Sequence, residues 1–416
     1  MVPNGWKTLS LGEITKEKIS YGIVQAGPHV ENGVPYIKSS NVGGEIKIED
    51  LQRTSSEIHH KYRRSAVHPN DIVFSLRGNI GRTSIVPPEL LEANLTQGTA
   101  RISVNTKNET NFIYYSLAST PILNRINSLS KGSTFKEISL EELRKVKLPI
   151  PPLSEQQKIA KILSTWDKAI STTERLIDNS TQQKKALMQQ LLTGKKRLLD
   201  ESGERFKDEW EQVSLEHHME SFTNGYAFSA SQYKLEGIPI ITMGNIGLDG
   251  KFNERTHKQN FWQSDSSLDK FLVNKDDLLI AMTDVTPDKN LIGRMTIVTA
   301  EKSFYLNQRV GLIRLKPSLD RHFLRCLSNS TDWRKYSVAV SASGVQANMS
   351  TKDIKKGKIK LPTIFEQRKV ATVLTNADKE IELLKQQLAD LQQEKKALMQ
   401  VLLTGKKRVV VDGEVK

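Results

Sequence analysis

The chain has 416 residues, 37% of them apolar and 26% charged, which is more than one hydrophobic core usually organises, so two or more globular domains are expected. A net charge of +14 favours polyanionic partners, because lysines and arginines that neutralise phosphates release condensed counterions; no run of about 18 apolar residues offers a membrane span. Residues 1–10 lack an apolar signal core, and the single cysteine, Cys326, can form neither an intramolecular disulfide nor a multi-cysteine zinc site, so a cytoplasmic protein is expected.

In chain order, residues 1–150 read as a mixed, strand-rich domain. Segment 22–44 is rich in turn residues, the run Asp71-Ile72-Val73-Phe74 favours a strand, and 111–123 has a helical pattern. Residues 151–197 then read as one long helix. Ser154-Glu155-Gln156-Gln157 fits a capping box, with Pro149, Pro151 and Pro152 just outside or in the first turn. Its apolar seam runs through Ile159, Leu163, Trp166, Ile170, Ile177, Leu187 and Leu191, interrupted by Thr173, Ser180 and Lys184. Polar residues in such a seam specify register at a cost in stability. Gly194 stands where a left-handed residue ends a helix, followed by Lys195-Lys196-Arg197 beside the negative helix end.

A linker, 198–208, leads into a second domain, 209–361, then a second helix, 362–408, and a tail, 409–416. This half repeats the first. Residues 184–197 read KKALMQQLLTGKKR and residues 395–408 read KKALMQVLLTGKKR, differing only at Gln190 and Val401. At the same offset Glu155-Gln156 matches Glu366-Gln367, Leu163 matches Leu374 and Asp167 matches Asp378. The domains match more weakly: Trp6 with Trp210, Asn41-Val42-Gly43 with Asn245-Ile246-Gly247, Asp71-Ile72-Val73 with Asp277-Leu278-Leu279, Gly81-Arg82 with Gly293-Arg294, and Gly132 with Gly344. A second capping box is expected at Thr363-Ile364-Phe365-Glu366, with Pro362 before it and Gly405 at the far end. The second domain also shows a strand-like run at 278–282 and a helical pattern at 320–327.

The second helix carries apolar residues at Val370, Val373 or Leu374, Ala377, Ile381, Leu384, Leu388, Leu391, Leu398 and Leu402. Alternating steps of three and four make one helix bury a narrow seam against another. About 40 residues give a rod of roughly 60 Å, longer than one turn of B-DNA, about 34 Å. The economical partner for each seam is the other helix of the same chain, running antiparallel, which places the domains at opposite ends under pseudo-twofold symmetry. The alternative is an ordinary homodimeric coiled coil. The fold expected is therefore α+β: two mixed, strand-rich domains separated by an antiparallel pair of long coiled-coil helices. Segment 154–197 holds nine Lys or Arg against four acids and 366–408 nine against six, so the helices supply +8 of the net charge. These cations either face phosphates or an acidic partner, or simply solvate helix faces.

These residues resemble the specificity subunits (HsdS) of type I restriction-modification enzymes, over the whole chain. The marks are Leu148-Pro149-Ile150-Pro151-Pro152-Leu153-Ser154-Glu155-Gln156 leading into a long helix, the counterpart Leu361-Pro362 to Glu366-Gln367, the LLTGKKR helix ends, and the opening Trp6 and Trp210. Ile364-Phe365 departs from the fuller proline segment of the first copy. The resemblance implies that the globular halves are target recognition domains, each reading one half of an interrupted sequence in double-stranded DNA. It also implies that the helices set the gap and dock two modification subunits. Such a subunit does not catalyse and holds no cofactor. S-adenosylmethionine is expected on the modification subunits, and ATP and Mg on the restriction subunits, which act as translocase and endonuclease.

Reading bases needs forked or amide side chains on polar loops, with neighbouring donors on the phosphates. The candidates in the first domain are Arg77, Asn79 and Arg82 on the loop 75–82, Lys38 and Asn41, and Lys131, Ser133, Thr134 and Lys136. Their counterparts in the second are Thr283, Thr286, Lys289, Asn290 and Arg294, then Thr242 and Asn245, then Ser343, Gln346 and Asn348. For any one of these the competing role is a side chain that caps a turn.

Catalytic readings find little support. The Pro-Pro pairs, Val86-Pro87-Pro88-Glu89 and Ile150-Pro151-Pro152-Leu153, lack the Asn or Asp before and the aromatic residue after that an amino-methyltransferase needs. Gly194-Lys195-Lys196 and Gly405-Lys406-Lys407 lack the leading glycine and hydroxyl of a P-loop. His59-His60 and His217-His218 have no evident metal partners, and Pro287-Asp288-Lys289 lacks the second acid of a nuclease motif. No metal site is expected. The remaining alternative is a non-enzymatic tether whose helices present two protein-binding domains.

Overall fold

A computed structural model describes residues 2–132, 136–254, 259–341 and 347–411. The chain forms two compact units, Met1–Glu174 with Gln386–Lys416, and Arg175–Lys385. Each long helix, Leu153–Leu191 and Ile364–Leu402, has 39 residues shared between the units. A unit therefore comprises one globular domain, the first half of the helix that follows it, and the last half of the other helix. Along the sequence each helix is a segment of its own; in space its two halves are buried by different cores. Ile159 and Leu163 share a cluster with Trp6, Leu402 and Leu403. Val370 and Leu374 share one with Leu191, Leu192 and Leu361.

The two domains use one topology. In the first, the strand order is Ser20–Tyr21, Thr99–Ile102, Ile72–Ser75, Thr83–Ile85. In the second it is Met219–Asn224, Val310–Leu315, Leu278–Ala281, Met295–Ile297. All neighbours in both sheets are antiparallel. The continuous apolar runs expected as strands are covered on both faces, because successive side chains point to opposite sides. Ile72 and Phe74 enter one core cluster and Val73 another; Leu278 and Ile280 divide from Leu279 and Ala281 in the same way.

The helical stretch expected at 111–123 is two helices, Thr110–Ala118 and Thr120–Leu129. Ser119 between them is extended, with ψ 143°, and Pro121 in the next first turn cannot continue an existing helix. In the second domain Asp320 caps Arg321–Leu327, its carboxylate accepting from the Phe323 amide.

The strand Lys7–Ser10 pairs with Lys147–Ile150, and Glu211–Ser214 with Lys358–Leu361. These pairs carry each opening tryptophan to the start of its domain's long helix. There the expected capping boxes give way to another arrangement. The first helix begins at Leu153, so Ser154 lies inside it, and Gln156 N–H already donates to the Pro152 carbonyl. Glu155 instead accepts from Trp6 Nε1 at 3.1 Å and from Arg408 through two bonds of 2.7 Å. Glu366 likewise accepts from Trp210 Nε1 at 3.2 Å and twice from Arg197 at 2.7 Å. The neighbouring glutamines act separately. Gln156 accepts from the Glu109 amide and Gln367 from the Asp320 amide, anchoring the helix starts at Thr110 and Arg321.

Each arginine belongs to the LLTGKKR end of the other helix, so the repeated Trp, Glu and Arg form one clasp per unit. The helix ends turn through Gly194 and Gly405 at φ 70° and 69°, the left-handed conformation expected there. A Cβ on Gly405 would come within 2.4 Å of Pro3 and 3.3 Å of the Trp6 ring.

Within each unit the paired helix segments run antiparallel. Glu155 and Asp167 meet Arg408 and Lys395 in reverse order in the first; Glu366 and Asp378 meet Arg197 and Lys184 in the second. Two polar interruptions of the first seam thereby find partners, Lys184 on Asp378 and Ser180 on Glu380. Asp167 also accepts from the Tyr115 hydroxyl at 2.6 Å; burial first, then this bond, pushes the phenol's pKa up. Lys184, Lys395, Arg197 and Arg408 are thus engaged by carboxylates and are not free charge for a polyanion. Among the described residues no helix is long and apolar enough to cross a membrane.

Candidate nucleic-acid interface

In the first domain three polar stretches converge beside the strand Ile72–Ser75. Its following loop returns through the Ser75 amide on the Arg82 carbonyl and the Gly81 amide on the Ser75 carbonyl. Arg77 forms an isolated bridge with Glu137, which also bridges Lys131, joining loop 75–82 to stretch 131–137. Arg77 reaches the Glu137 carboxylate at 3.1 Å, with its side chain 42% exposed and Nε buried without a hydrogen-bond partner. The turn 38–41 closes on the other side. Ser39 Oγ donates to the Gly98 carbonyl, and a Cβ on Gly98 would lie 2.8 Å from Ser39 Oγ and 3.2 Å from Arg77 Cγ.

The side chains named from sequence divide by what they touch. Asn79, Arg82 and Lys136 are exposed and make no side-chain hydrogen bond among the described residues; Lys131 is also exposed. Asn41 accepts from the Lys38 amide, closing its own turn, while Lys38 Nζ donates to Gln52 at 2.6 Å and lies over the Tyr36 ring. Ser133 and Thr134 lie outside the described residues.

The second domain repeats the arrangement with other chemistry. Thr283–Asp284 pairs with Ala347–Asn348, and the Thr283 hydroxyl donates to Asn348 at 3.0 Å. Thr283 is 4% exposed, whereas Asn348 is exposed. The turn Thr242 to Asn245 is closed from within. The Asn245 oxygen accepts from the Thr242 amide and its nitrogen donates to the Asn253 carbonyl, at 1% exposure. Such an amide has no free edge for a base. Ser343 and Gln346 lie outside the described residues.

The loop after the central strand is six residues longer than in the first domain. Ile72 to Phe74 pairs with Ile85 to Thr83, whereas Leu278 to Ile280 pairs with Ile297 to Met295. Buried Asp284 organises the extra length by accepting from the amides of Thr286, Leu291 and Ile292 and from the Thr286 hydroxyl. Burial opposes ionisation of this carboxyl, yet these bonds outweigh it and hold the pKa below the usual range. From the other side Arg334 donates to the Ile292 and Lys289 carbonyls, and burial lowers its pKa to about 10. Lys289 has φ 49° and donates to Ser341. Arg294 donates to the Asn290 carbonyl and to Asn329, and burial lowers its pKa too. Asn290 stays exposed, its side chain without a hydrogen bond among the described residues.

Sequence reading missed three positions. Glu137 orients Arg77, and Asp284 builds the longer loop. The third, Arg309, lies in the turn between the strands Phe304–Leu306 and Val310–Leu315, beside this loop. Leu95-Thr96-Gln97 and Leu306-Asn307-Gln308 stand at the offset that relates the two helices, and that weak match was the available signal. Among the described residues no cluster of His, Cys, Asp or Glu could hold a metal ion.

Two polar faces built on one topology, with unlike side chains at matching positions and shared helices, define a duplicated recognition protein. A family model described as type I restriction modification DNA specificity domain matches residues 3–179 and again 207–393, and the chain belongs to that family. The type I restriction enzyme MjaVIII specificity subunit of Methanocaldococcus jannaschii is 27% identical, covering 98% of this chain and 94% of that protein. The EcoKI specificity subunit of Escherichia coli strain K12 is 21% identical, over 89% and 81%. The fold is similar to that of the HsdS subunit from Thermoanaerobacter tengcongensis, with TM-score 0.51, 19% identity and 98% of each chain covered. It is also similar to a type I S subunit from M. genitalium, with TM-score 0.59, 16% identity and 97% of each covered.

Proposed function

We infer that this chain is the non-catalytic specificity subunit of a cytoplasmic type I restriction-modification complex, its two domains reading the two unlike halves of an interrupted DNA sequence. The observation that carries the reading is the contrast at one structural position. Arg77 with Glu137 faces outward in one domain, and Thr283 with Asn348 takes that place in the other. A guanidinium and an amide select different base edges, so equal scaffolds carry unequal readers. The duplicated helices suit a partner that binds twice, a pair of modification subunits bringing S-adenosylmethionine. Restriction subunits would add ATP- and Mg-dependent translocation and cleavage.

The test mixes the full chain with cognate modification subunits and S-adenosylmethionine and maps the methylated sites. One bipartite sequence is expected, with binding that falls steeply with salt. Arg77→Ala should weaken binding to that sequence by roughly ten- to a hundredfold while relaxing preference in one half only. Failure of the proteins to co-purify, together with methylation that follows no sequence, would sink the reading.

A further inference from the structure

The turn just before the strand that pairs with the central strand carries an exchange of side chains between the domains. In the first, the Leu76 amide donates to the Gly98 carbonyl, and Ser75 pairs with Thr99. In the second, the Met282 amide donates to the Arg309 carbonyl, and Ala281 pairs with Val310. Gly98 and Arg309 therefore occupy one position, as do Arg77 and Thr283 one residue further along the loop. The sizes are reversed: Arg with Gly in one domain, Thr with Arg in the other. A Cβ at Gly98 would stand 2.8 Å from Ser39 Oγ and 3.2 Å from Arg77 Cγ, so a larger residue there is opposed by both side chains. In the second domain Thr283 is buried, and the long side chain comes instead from the adjoining turn, at exposed Arg309.

Arg309 is exposed, and its guanidinium meets no hydrogen-bond or ion-pair partner among the described residues. Its backbone is held firmly: its amide donates to Asn307 Oδ1 at 3.2 Å, and Val310 beside it is fully buried. A free guanidinium on a fixed backbone, beside a loop that a carboxylate cage already holds, is a forked donor of the kind that pairs with guanine O6 and N7.

We propose that Arg309 reads a guanine in the half-site of the second domain, doing from the neighbouring turn what Arg77 does from the loop of the first. This rests on the DNA-specificity function inferred above. Gly98 and Thr283 are the complementary small residues, each leaving room for the guanidinium that crosses it. The two half-sites then share a guanidinium–guanine contact whose position relative to the other bases differs, since the side chain departs from a different loop.

The experiment takes the full chain with its modification subunits and selects duplexes from a random library. Wild type is expected to enrich a bipartite sequence, and replacing one guanine of the second half by 7-deazaguanine, which lacks the N7 acceptor, should weaken binding at least tenfold. Arg309→Ala and Arg309→Gln should each lose preference at that base pair alone and become indifferent to 7-deazaguanine there, with the first half-site unchanged. The exchanged variant Thr283→Arg with Arg309→Gly should regain a guanine preference that Arg309→Gly alone lacks. Uniform weakening across all sequences, with a shallower salt dependence, would identify a phosphate contact and overturn the proposal. Unchanged selection by both single variants would overturn it as well. Enrichment of no sequence by wild type would instead remove the specificity function on which the proposal stands.

Discussion

Arg408→Ala is expected to lower the stability of the first unit by about 3 kcal/mol, and Glu155→Gln by only about 1–2 kcal/mol, although both remove the same ion pair. The asymmetry follows from burial. Glu155 has a side-chain exposure of 3% and Arg408 of 46%. Without Arg408, a carboxylate stays buried with only the Trp6 indole donating to it among the described residues, and an uncompensated buried charge is costly. Without the carboxylate, Arg408 keeps its bond to the Asn4 carbonyl and its exposed part is solvated, and a glutamine oxygen still accepts from Trp6. In the second unit Arg197 is itself only 20% exposed and Glu366 1%, so Arg197→Ala should cost at least as much as Arg408→Ala. Urea unfolding of the full-length variants, compared at equal ionic strength, measures these differences. Equal losses for Arg408→Ala and Glu155→Gln would show that Arg408 packing, rather than the buried carboxylate, dominates the clasp.

Gly22→Ala and Gly225→Ala should each destabilise by about 3 kcal/mol, at the upper end of overpacking costs, lowering the melting temperature by roughly 6–12 °C. A Cβ on Gly22 would stand 1.9 Å from the Leu95 carbonyl oxygen, and one on Gly225 2.1 Å from that of Asn307. The obstacle is backbone, so no rotamer relieves it. The segment has to part from its neighbour, breaking the Ile23–Leu95 and Tyr226–Leu306 hydrogen bonds of 2.6 and 2.8 Å. The turns that follow these neighbour strands hold Gly98 and Arg309, and the Gln97 and Gln308 amides hang on the displaced Ile23 and Tyr226 carbonyls. Loss of sequence preference should therefore accompany loss of stability in the matching half-site. Calorimetry on both variants decides the matter: a melting temperature within about 2 °C of wild type would mean that the close approach is not maintained in solution.

Duplication, helix length and the left-handed glycine ends were legible along the chain, because each depends on residues near one another or on identity at one offset. Trp6, Glu155 and Arg408 were each visible as half of a repeated pair, yet nothing in their spacing joined them. Their meeting depends on Lys7–Ser10 pairing with Lys147–Ile150 and on the second helix returning antiparallel within the unit. Local pattern also misled at the helix start. Ser154 three residues ahead of Gln157 fits a capping box, but a hydroxyl satisfies free amides only at the residue before the helix, and that place is held by Pro152. Arg309 was hard to see for a different reason, because only the three residues before it match weakly across the repeat. Repeats are found where the same residue is kept, whereas the Arg77–Gly98 and Thr283–Arg309 exchange changes both residues. The sequence by itself determined that two alike scaffolds exist and where their helices end. Only the tertiary structure decided which side chains share a volume, because strands far apart in the chain set that volume together.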